Sequence, residues 1–551
     1  MENTLENTQL NKKELLDKSI ETINSLFQKY EKNEYVLNRL NNHITSLSSI
    51  IENELFNYEK RIDRNNYLCN EQQLFIKVFL EKNQYYYLHT NSNYYEYDGI
   101  RYHIIKEDDI VHKLLSNISR DRVLLDWKHK TKNNILKLIK ERNLFESIPE
   151  SETIQNVFSI LYPYVFNNKT YAKYMLTIIG DNIFKKNQHL IFLISPHMKK
   201  FLLKLEYISS NFLGINNLSS NFMSKYHENH KYENCRFLHM NEKISENVYT
   251  EILKNNGLDI LCVAAHYSKR FQHSDLFIEN KATEDIKKYV YYLKNNNTND
   301  MINDFCDTYI IENKSTNSNI SCKMEWKQLH FLWKQFLTNN HYQNMVYSQT
   351  LKSLFQDKYV HEGDTFFNIT SPYLPIQSEF LKFWNSTIHT LDYNDNSFVN
   401  DIEIDEICGL FKCWSKNTQT NNPYKNQFIQ EDDALSIIAH FFPDIEIAED
   451  KYLLNIISLE WDKINDIEKA IEYINNDKQQ LIKTDTSLDK IILSVDEIYN
   501  LYNNYCNTVP NKLVVSKRFF EKYIYYYFKN KIVFDKFIKL DDLLKNNDTN
   551  I

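Results

Sequence analysis

The chain has very little glycine, six residues in 551, and only eight prolines. The glycines stand at 99, 180, 214, 257, 363 and 409, so neither GxxxxGK[ST] nor GxGxxG can be written anywhere. A phosphate cradle needs backbone N–H groups that approach the ligand closely, and bulky side chains obstruct it. An ordinary nucleotide triphosphatase is thereby excluded. The eight cysteines include no CxxC pair and read as reduced thiols of an intracellular protein. No signal-peptide pattern opens the sequence and no apolar run is long enough to span a bilayer, so no membrane partner is expected. A net charge of −8 excludes a surface that is basic throughout and leaves room for a local basic patch.

What is abundant is Asn, Lys, Ile and Tyr, the mark of an AT-rich genome, which discounts Asn and Tyr as functional signals. The length suits several domains. Apolar residues recur every seventh position at Leu16, Ile23, Tyr30, Leu37, Ile44, Ile51 and Tyr58. Residues 1–66 are therefore expected to be a helical hairpin or a stuttered coiled coil, used either for packing onto the chain's own body or for self-association. Residues 67–165 read as a β-meander with a hairpin turn at Asp98-Gly99, followed by basic helices around Lys128 to Arg142. The meander tyrosines have two readings, a base-stacking platform or ordinary packing on the next helix, and packing is preferred.

Residues 166–294 carry the expected core. Three apolar runs, His189–Ile194, Cys235–Leu238 and Leu258–Ala265, alternate with two helical patterns, which predicts a small parallel βαβαβ sheet. A linker over 295–321 and a helical region over 322–396 follow. In the last third, Ile404 to Trp414 repeats Val495 to Tyr505, with aliphatic, Asp, Glu, Ile, Leu and aromatic residues at the same offsets. Each copy is followed by a second helix and an extended ribbon, so 400–470 and 490–541 are expected to be winged-helix-like modules. The fold class is multidomain α/β, mostly helical.

Candidate sites follow from placement. Parallel strands would bring the loops after them to one edge, where His197, His239 and His266 meet Lys199, Lys200, Lys269 and Arg270, a basic edge suited to a nucleic-acid backbone. Frequent surface Lys and His falling in loops is the competing reading. His227, His230, Cys235 and His239 are all of zinc-ligand type, but their spacing matches no common structural site; zinc is the one cofactor on offer, and none is expected. From 401 to 463 there are five basic and thirteen acidic residues; from 512 to 539 there are eight basic and two acidic. The acidic module is expected to contact protein. The basic one, through Lys517, Arg518 and Lys522 in the opening turns of a helix, is expected to contact DNA or RNA. No catalytic constellation has a recognisable signature.

The meander YYEYDGIRYHIIKEDDIVHKLL is similar to the domain before the helicase core in poxvirus-type and phage-type primase-helicases of helicase superfamily three. Ile191 to Lys200 sits where that family carries its phosphate loop. Val495-Asp-Glu-Ile-Tyr-Asn-Leu-Tyr with Val515-Ser-Lys-Arg-Phe-Phe looks like the module after its core, and the composition resembles that of giant, mimivirus-like DNA viruses. The resemblance implies a degenerate helicase-like core and a role in viral replication or transcription, inside the host cell. Because the phosphate loop is missing, the family's ATPase and helicase activities are not carried over. The resulting expectation is a non-catalytic nucleic-acid-binding protein. The alternatives are a structural or assembly protein using its N-terminal helices, and a divergent NTPase.

Overall fold

A computed structural model describes residues 2–186, 188–226, 230–312, 322–391, 400–417, 428–482, 492–509, 512–534 and 536–539. About 66% of the chain is helix, and the strands fall into small separate sheets. Two compact units result: residues 1–223 with 238–290, and residues 224–237 with 291–551.

The first unit begins with the helices Glu2–Lys29 and Glu34–Lys82. The meander follows as strands Gln84–Leu88, Asn93–Tyr97 and Tyr102–Ile105, all antiparallel. Both faces of this sheet are covered, with Tyr85, Tyr87 and Tyr94 buried on one and Tyr95 and Tyr97 on the other. Tyr85, Tyr87 and Tyr94 pack with Ile110, Leu114, Ile135 and Ile139 of the next two long helices, Glu107–Asp121 and Lys128–Glu141. These tyrosines are core, not a platform for bases. The first turn of the meander also caps a distant helix, Pro196–Leu213: Thr90 Oγ1 donates to the Leu213 carbonyl at 2.7 Å and Asn91 Nδ2 to that of Phe212 at 2.6 Å. Both carbonyls are among those that a helix C-terminus leaves without an internal partner.

The core differs from expectation at its centre. Ile191–Leu193 is a strand and pairs in parallel with Phe222–Met223, and Cys235–Phe237 is also extended. Leu258–Ala265 is not a strand. It lies inside one continuous helix, Glu246–Phe271, in which every residue from Gly257 to Ala265 is buried. Helices Lys169–Ile183 and Pro196–Leu213 both pack on this segment, so its apolar residues cover the whole circumference and the helical period disappears from the sequence. Glycines make the approach possible. A Cβ on Gly180 would meet the Ala264 carbonyl oxygen at 2.1 Å, and one on Gly257 would meet Ile208 at 2.8 Å.

The same helix holds the meander. Buried Asp259 accepts the backbone N–H of Tyr102 at 2.8 Å, and burial pushes its carboxyl above the usual range. Asp259→Ala should cost about 1–3 kcal/mol by stranding that N–H, whereas Asp259→Asn, which keeps an acceptor and loses a buried charge, should stay close to wild type. A raised folded-state value adds stability below the unfolded value of 3.8 and loses it as pH rises through the folded one. Asparagine should therefore compare best with the wild type near neutral pH. Thermal melts of the three proteins at two pH values check this; equal damage from both substitutions would refute the clamp.

The second unit repeats one topology three times. Each copy runs helix, strand, helix, helix and a two-stranded ribbon, with the first strand paired to the last. The first copy comprises Thr298–Tyr309, Lys323–Glu325, Trp326–Asn339, Ser348–Lys358 and the ribbon His361–Glu362 with Thr365–Phe367. The second comprises Leu374–Thr387, Asp401–Glu403, Ile404–Asn417, Glu431–Phe441 and the ribbon Ile447–Ala448 with Tyr452–Leu454. The third comprises Lys463–Ile482, Ile492–Ser494, Val495–Thr508, Lys517–Tyr527 and the ribbon Ile532–Val533 with Phe537–Lys539. In each, one apolar pair fixes the register: Met324 opposite Phe366, Ile402 opposite Leu453, and half-buried Leu493 opposite Ile538.

The first copy occupies what reads in the sequence as a plain helical region. Part of the expected linker, Thr298–Tyr309, is its opening helix, started by a capping box between Asn297 and Asp300. The other polar piece, 313–321, lies outside the described residues.

Candidate nucleic-acid interface

The expected basic edge is not assembled. His266 stands within a helix, half-buried, with its pKa lowered by burial and by Arg270, so there is no third strand end for it to flank. Lys199 turns inward: its Nζ donates to the carbonyls of Ser219 and Phe222, both at 2.9 Å, and burial lowers its pKa. Lys200 pairs with Glu246 at 3.9 Å and Lys269 with Glu146 at 2.6 Å. His197 packs edge-on against Tyr249, and His239 against Tyr171 and Tyr289. Arg270 is exposed and lies by the Phe271 ring, with no carboxylate partner among the described residues. Between the strand Ile191–Leu193 and the helix at Pro196 only two residues intervene, and Ser195 caps that helix with its own hydroxyl. The position of a phosphate loop is a tight turn.

The zinc constellation fares no better. His227 lies outside the described residues, and among the described residues no group of three or more His, Cys, Asp or Glu could hold a metal ion. Cys235 is buried, its Sγ donates to the Lys231 carbonyl, and burial pushes the thiol up to about 11. A metal needs the thiolate.

One trio, Ser268, Asp181 and Lys186, has the composition of a catalytic site. Ser268 Oγ donates to Asp181 at 2.6 Å and accepts from Lys186 Nζ at 2.8 Å. Its geometry is that of a clasp. Lys186 also donates to the carbonyls of Ser268 and Gln272, ending the helix Glu246–Phe271, while Asp181 accepts the Ser274 N–H that starts the next helix. Ser268 and Asp181 are fully buried, so no substrate reaches them.

The basic third copy is where the charge count needs revision. Asp401, buried in the second copy, accepts from Lys522 and lies 3.4 Å from Arg518 Nε; Arg518 also reaches Glu449 at 3.0 Å. Lys517 pairs with Asp496 at 2.5 Å and Lys512 with Asp466 at 2.8 Å. Deeper in the same junction, Glu406 accepts from Lys463 Nζ at 2.5 Å and from the backbone N–H of Ser516 at 2.7 Å. The opposite charges of the two copies thus partly neutralise each other where the copies join. The three side chains expected to meet phosphate are ion-paired.

What remains exposed is the far end of the third copy. Lys529, Lys536 and Lys539 carry no ion pair among the described residues. Tyr525, Tyr526 and Tyr527 end the helix beside them, and Phe537 is exposed on the ribbon. At the turn of the ribbon Phe534 is 88% exposed with φ of 51°. A bulky residue in the left-handed region is strained, and here no burial offsets that strain. The other copies meet the same turn with Gly363 in the first and Glu449 with Asp450 in the second, glycine and aspartate being types that adopt this conformation readily. This patch escaped the sequence reading, although its signal, an aromatic where the other turns have Gly or acid, is in the sequence.

A second basic face lies in the first unit. Helix Lys128–Glu141 carries Lys128, Lys130, Lys132 and Lys137 without an ion pair among the described residues, and an open cleft of about 590 Å³ runs past Lys137, Lys140, His89 and Asn143. Compared with protein-family models, curated proteins and solved structures, the chain matches none.

Proposed function

We propose that the chain is a non-catalytic nucleic-acid-binding protein whose second unit is a tandem of three winged-helix-like modules, and that the ribbon of the third holds a single strand. The observation that carries this reading is Phe534, strained and solvent-facing among Lys529, Lys536 and Lys539. Aromatics interleaved with lysines stack bases and attract backbone phosphates with little regard to sequence. The topology supports it, since a helix pair followed by a ribbon is a common nucleic-acid-binding arrangement. In the usual arrangement the second helix of the pair reads the major groove. Here that helix opens with Glu431, Asp432 and Asp433 in the second copy, and its cations are paired in the third, which favours the ribbon as the contact. A role in viral replication or transcription, in common with primase-helicases, belongs to the same proposal. It is supported by a meander ahead of a parallel strand pair and by the modules that follow.

The test is a titration of the full chain with a labelled single strand and a matching duplex, at about 50 and 200 mM salt. The single strand should bind more tightly, and binding should weaken with salt. Phe534→Ala should cost about tenfold or more in affinity. Lys536→Ala with Lys539→Ala should flatten the log–log salt slope by about 1.4. Absence of binding by folded protein, or no effect of Phe534→Ala, would refute the interface. Nucleotide hydrolysis that disappears with Lys199→Ala would replace the reading with an enzymatic one.

A further inference from the structure

The long N-terminal helix is bare. Over Glu34–Lys82 the first buried residue is Leu68, so about 50 Å of helix precedes any buried side chain. Helices in water are held by packing of an apolar face more than by propensity, and over much of this one such a face is exposed. Leu47, Ile51, Leu55, Tyr58 and Ile62 are 39–61% exposed. They follow one another at steps of four, four, three and four residues, an eleven-residue stutter that keeps them on one side of a nearly straight helix. On the preceding helix Glu2–Lys29, Leu16, Ile20 and Phe27 are exposed at steps of four and seven. Single exposed apolar residues are ordinary, but a stripe at seam spacing marks an interaction surface.

The charges around the stripe identify its occupant. Between Lys12 and Arg64 there are nine basic and nine acidic residues, in a chain whose net charge is −8. A segment with no net charge has no net electrostatic pull towards a polyanion or an anionic lipid surface. A surface with both signs interspersed along one apolar stripe is self-complementary when a copy of it is turned about a twofold axis. We propose that a second copy of this chain covers the stripe, and that the two chains pair along Glu34–Lys82 through Leu47, Ile51, Leu55, Tyr58 and Ile62. The inference stands independently of the nucleic-acid reading.

The experiment is sedimentation equilibrium of the full chain over a wide concentration range, at low and high salt. The expected result is the mass of two chains, retained at high salt because the seam is apolar. Ile51→Glu with Leu55→Glu should give a monomer in which 169–183 and 246–271 keep wild-type hydrogen-exchange protection, both substituted sites being exposed. Leu47→Ala, Ile51→Ala and Leu55→Ala together keep helix propensity and should raise the dimer dissociation constant by about a hundredfold or more. A wild-type monomer at every concentration, a larger assembly, or a dimer indifferent to both variants would overturn the proposal. So would a wild-type monomer that instead binds vesicles of phosphatidylcholine and phosphatidylserine.

Discussion

Gly180→Ala is expected to remove about 3 kcal/mol or more from the first unit, a large share of the about 5–15 kcal/mol that holds a typical domain folded. The added methyl would sit 2.1 Å from the Ala264 carbonyl oxygen and 2.6 Å from Ser268 Cβ. The first is a backbone atom of the buried segment Gly257–Ala265, which no rotamer change can move aside. Relief requires the helices Lys169–Ile183 and Glu246–Phe271 to separate. Separation in turn pulls on the clasp one residue away, where Asp181 holds both Ser268 and Ser274. It also shifts the helix that carries Asp259 and, through it, the meander. Gly363→Ala is the matched control: φ there is 59° but nothing lies within 4 Å, so only about 1 kcal/mol of backbone strain is at stake. With two units, a single melting temperature is not a sufficient readout. Hydrogen exchange is: Gly180→Ala should strip protection from 169–183 and 246–271 while leaving 326–339 protected. Full protection throughout would show that the helix crossing tolerates a methyl group.

How far the sequence discloses this molecule depends on how each element is buried. The meander is legible from its dense strand-forming tyrosines and its Asp98-Gly99 turn, although both its faces are covered, by Tyr85, Tyr87 and Tyr94 on one side and Tyr95 and Tyr97 on the other. Leu258–Ala265 misleads because, helix or strand, a segment buried all round shows an apolar run without a period. Its small residues, Gly257, Ala264 and Ala265, mark close helix packing and are the signal that decides against a strand. The repeated modules are legible in two copies because aliphatic, Asp, Glu and Ile coincide. The first copy is hidden by Trp326 and Gln328 standing where the others have Ile404 and Glu406, or Val495 and Glu497, although Leu329, Leu332, Trp333 and Phe336 keep the later offsets. Charge counts locate a basic segment but cannot say which cations already have partners. Arg518 and Lys522 face Asp401, more than a hundred residues earlier in the chain, and only the fold brings them together.

The junction of the second and third modules makes the other large prediction. Glu406 and Lys463 form an ion pair in which both side chains are almost completely buried. Burial pushes the Glu406 carboxyl up and the Lys463 ammonium down, each opposed by the other's charge. Such a pair contributes little net stability, yet breaking it on one side strands a charge and costs about 3–5 kcal/mol. The two sides are not equivalent. Glu406→Ala leaves the Lys463 ammonium with the Asp401 carbonyl at 2.9 Å, and also strands the backbone N–H groups of Glu403 and Ser516. Lys463→Met leaves a carboxyl that keeps both of those donors and can take up a proton. Glu406→Ala should therefore be the more damaging, at the upper end of that range, and Lys463→Met the lesser. Their pH dependence should also differ in sign. Without Lys463 the carboxyl pKa rises further, and a raised folded-state value adds stability below the unfolded value of 4.5 that is lost as pH climbs through the folded one. Lys463→Met should thus recover relative to wild type as pH falls from 7 towards about 5. Glu406→Ala has no carboxyl left to protonate and should show no such recovery. Chemical denaturation of both variants at the two pH values, followed by hydrogen exchange over 404–417 and 517–527, measures this. Equal losses with parallel pH profiles would mean that the junction is held by its apolar contacts, Phe519 and Trp461 against the Lys463 stem, and not by the buried charge pair.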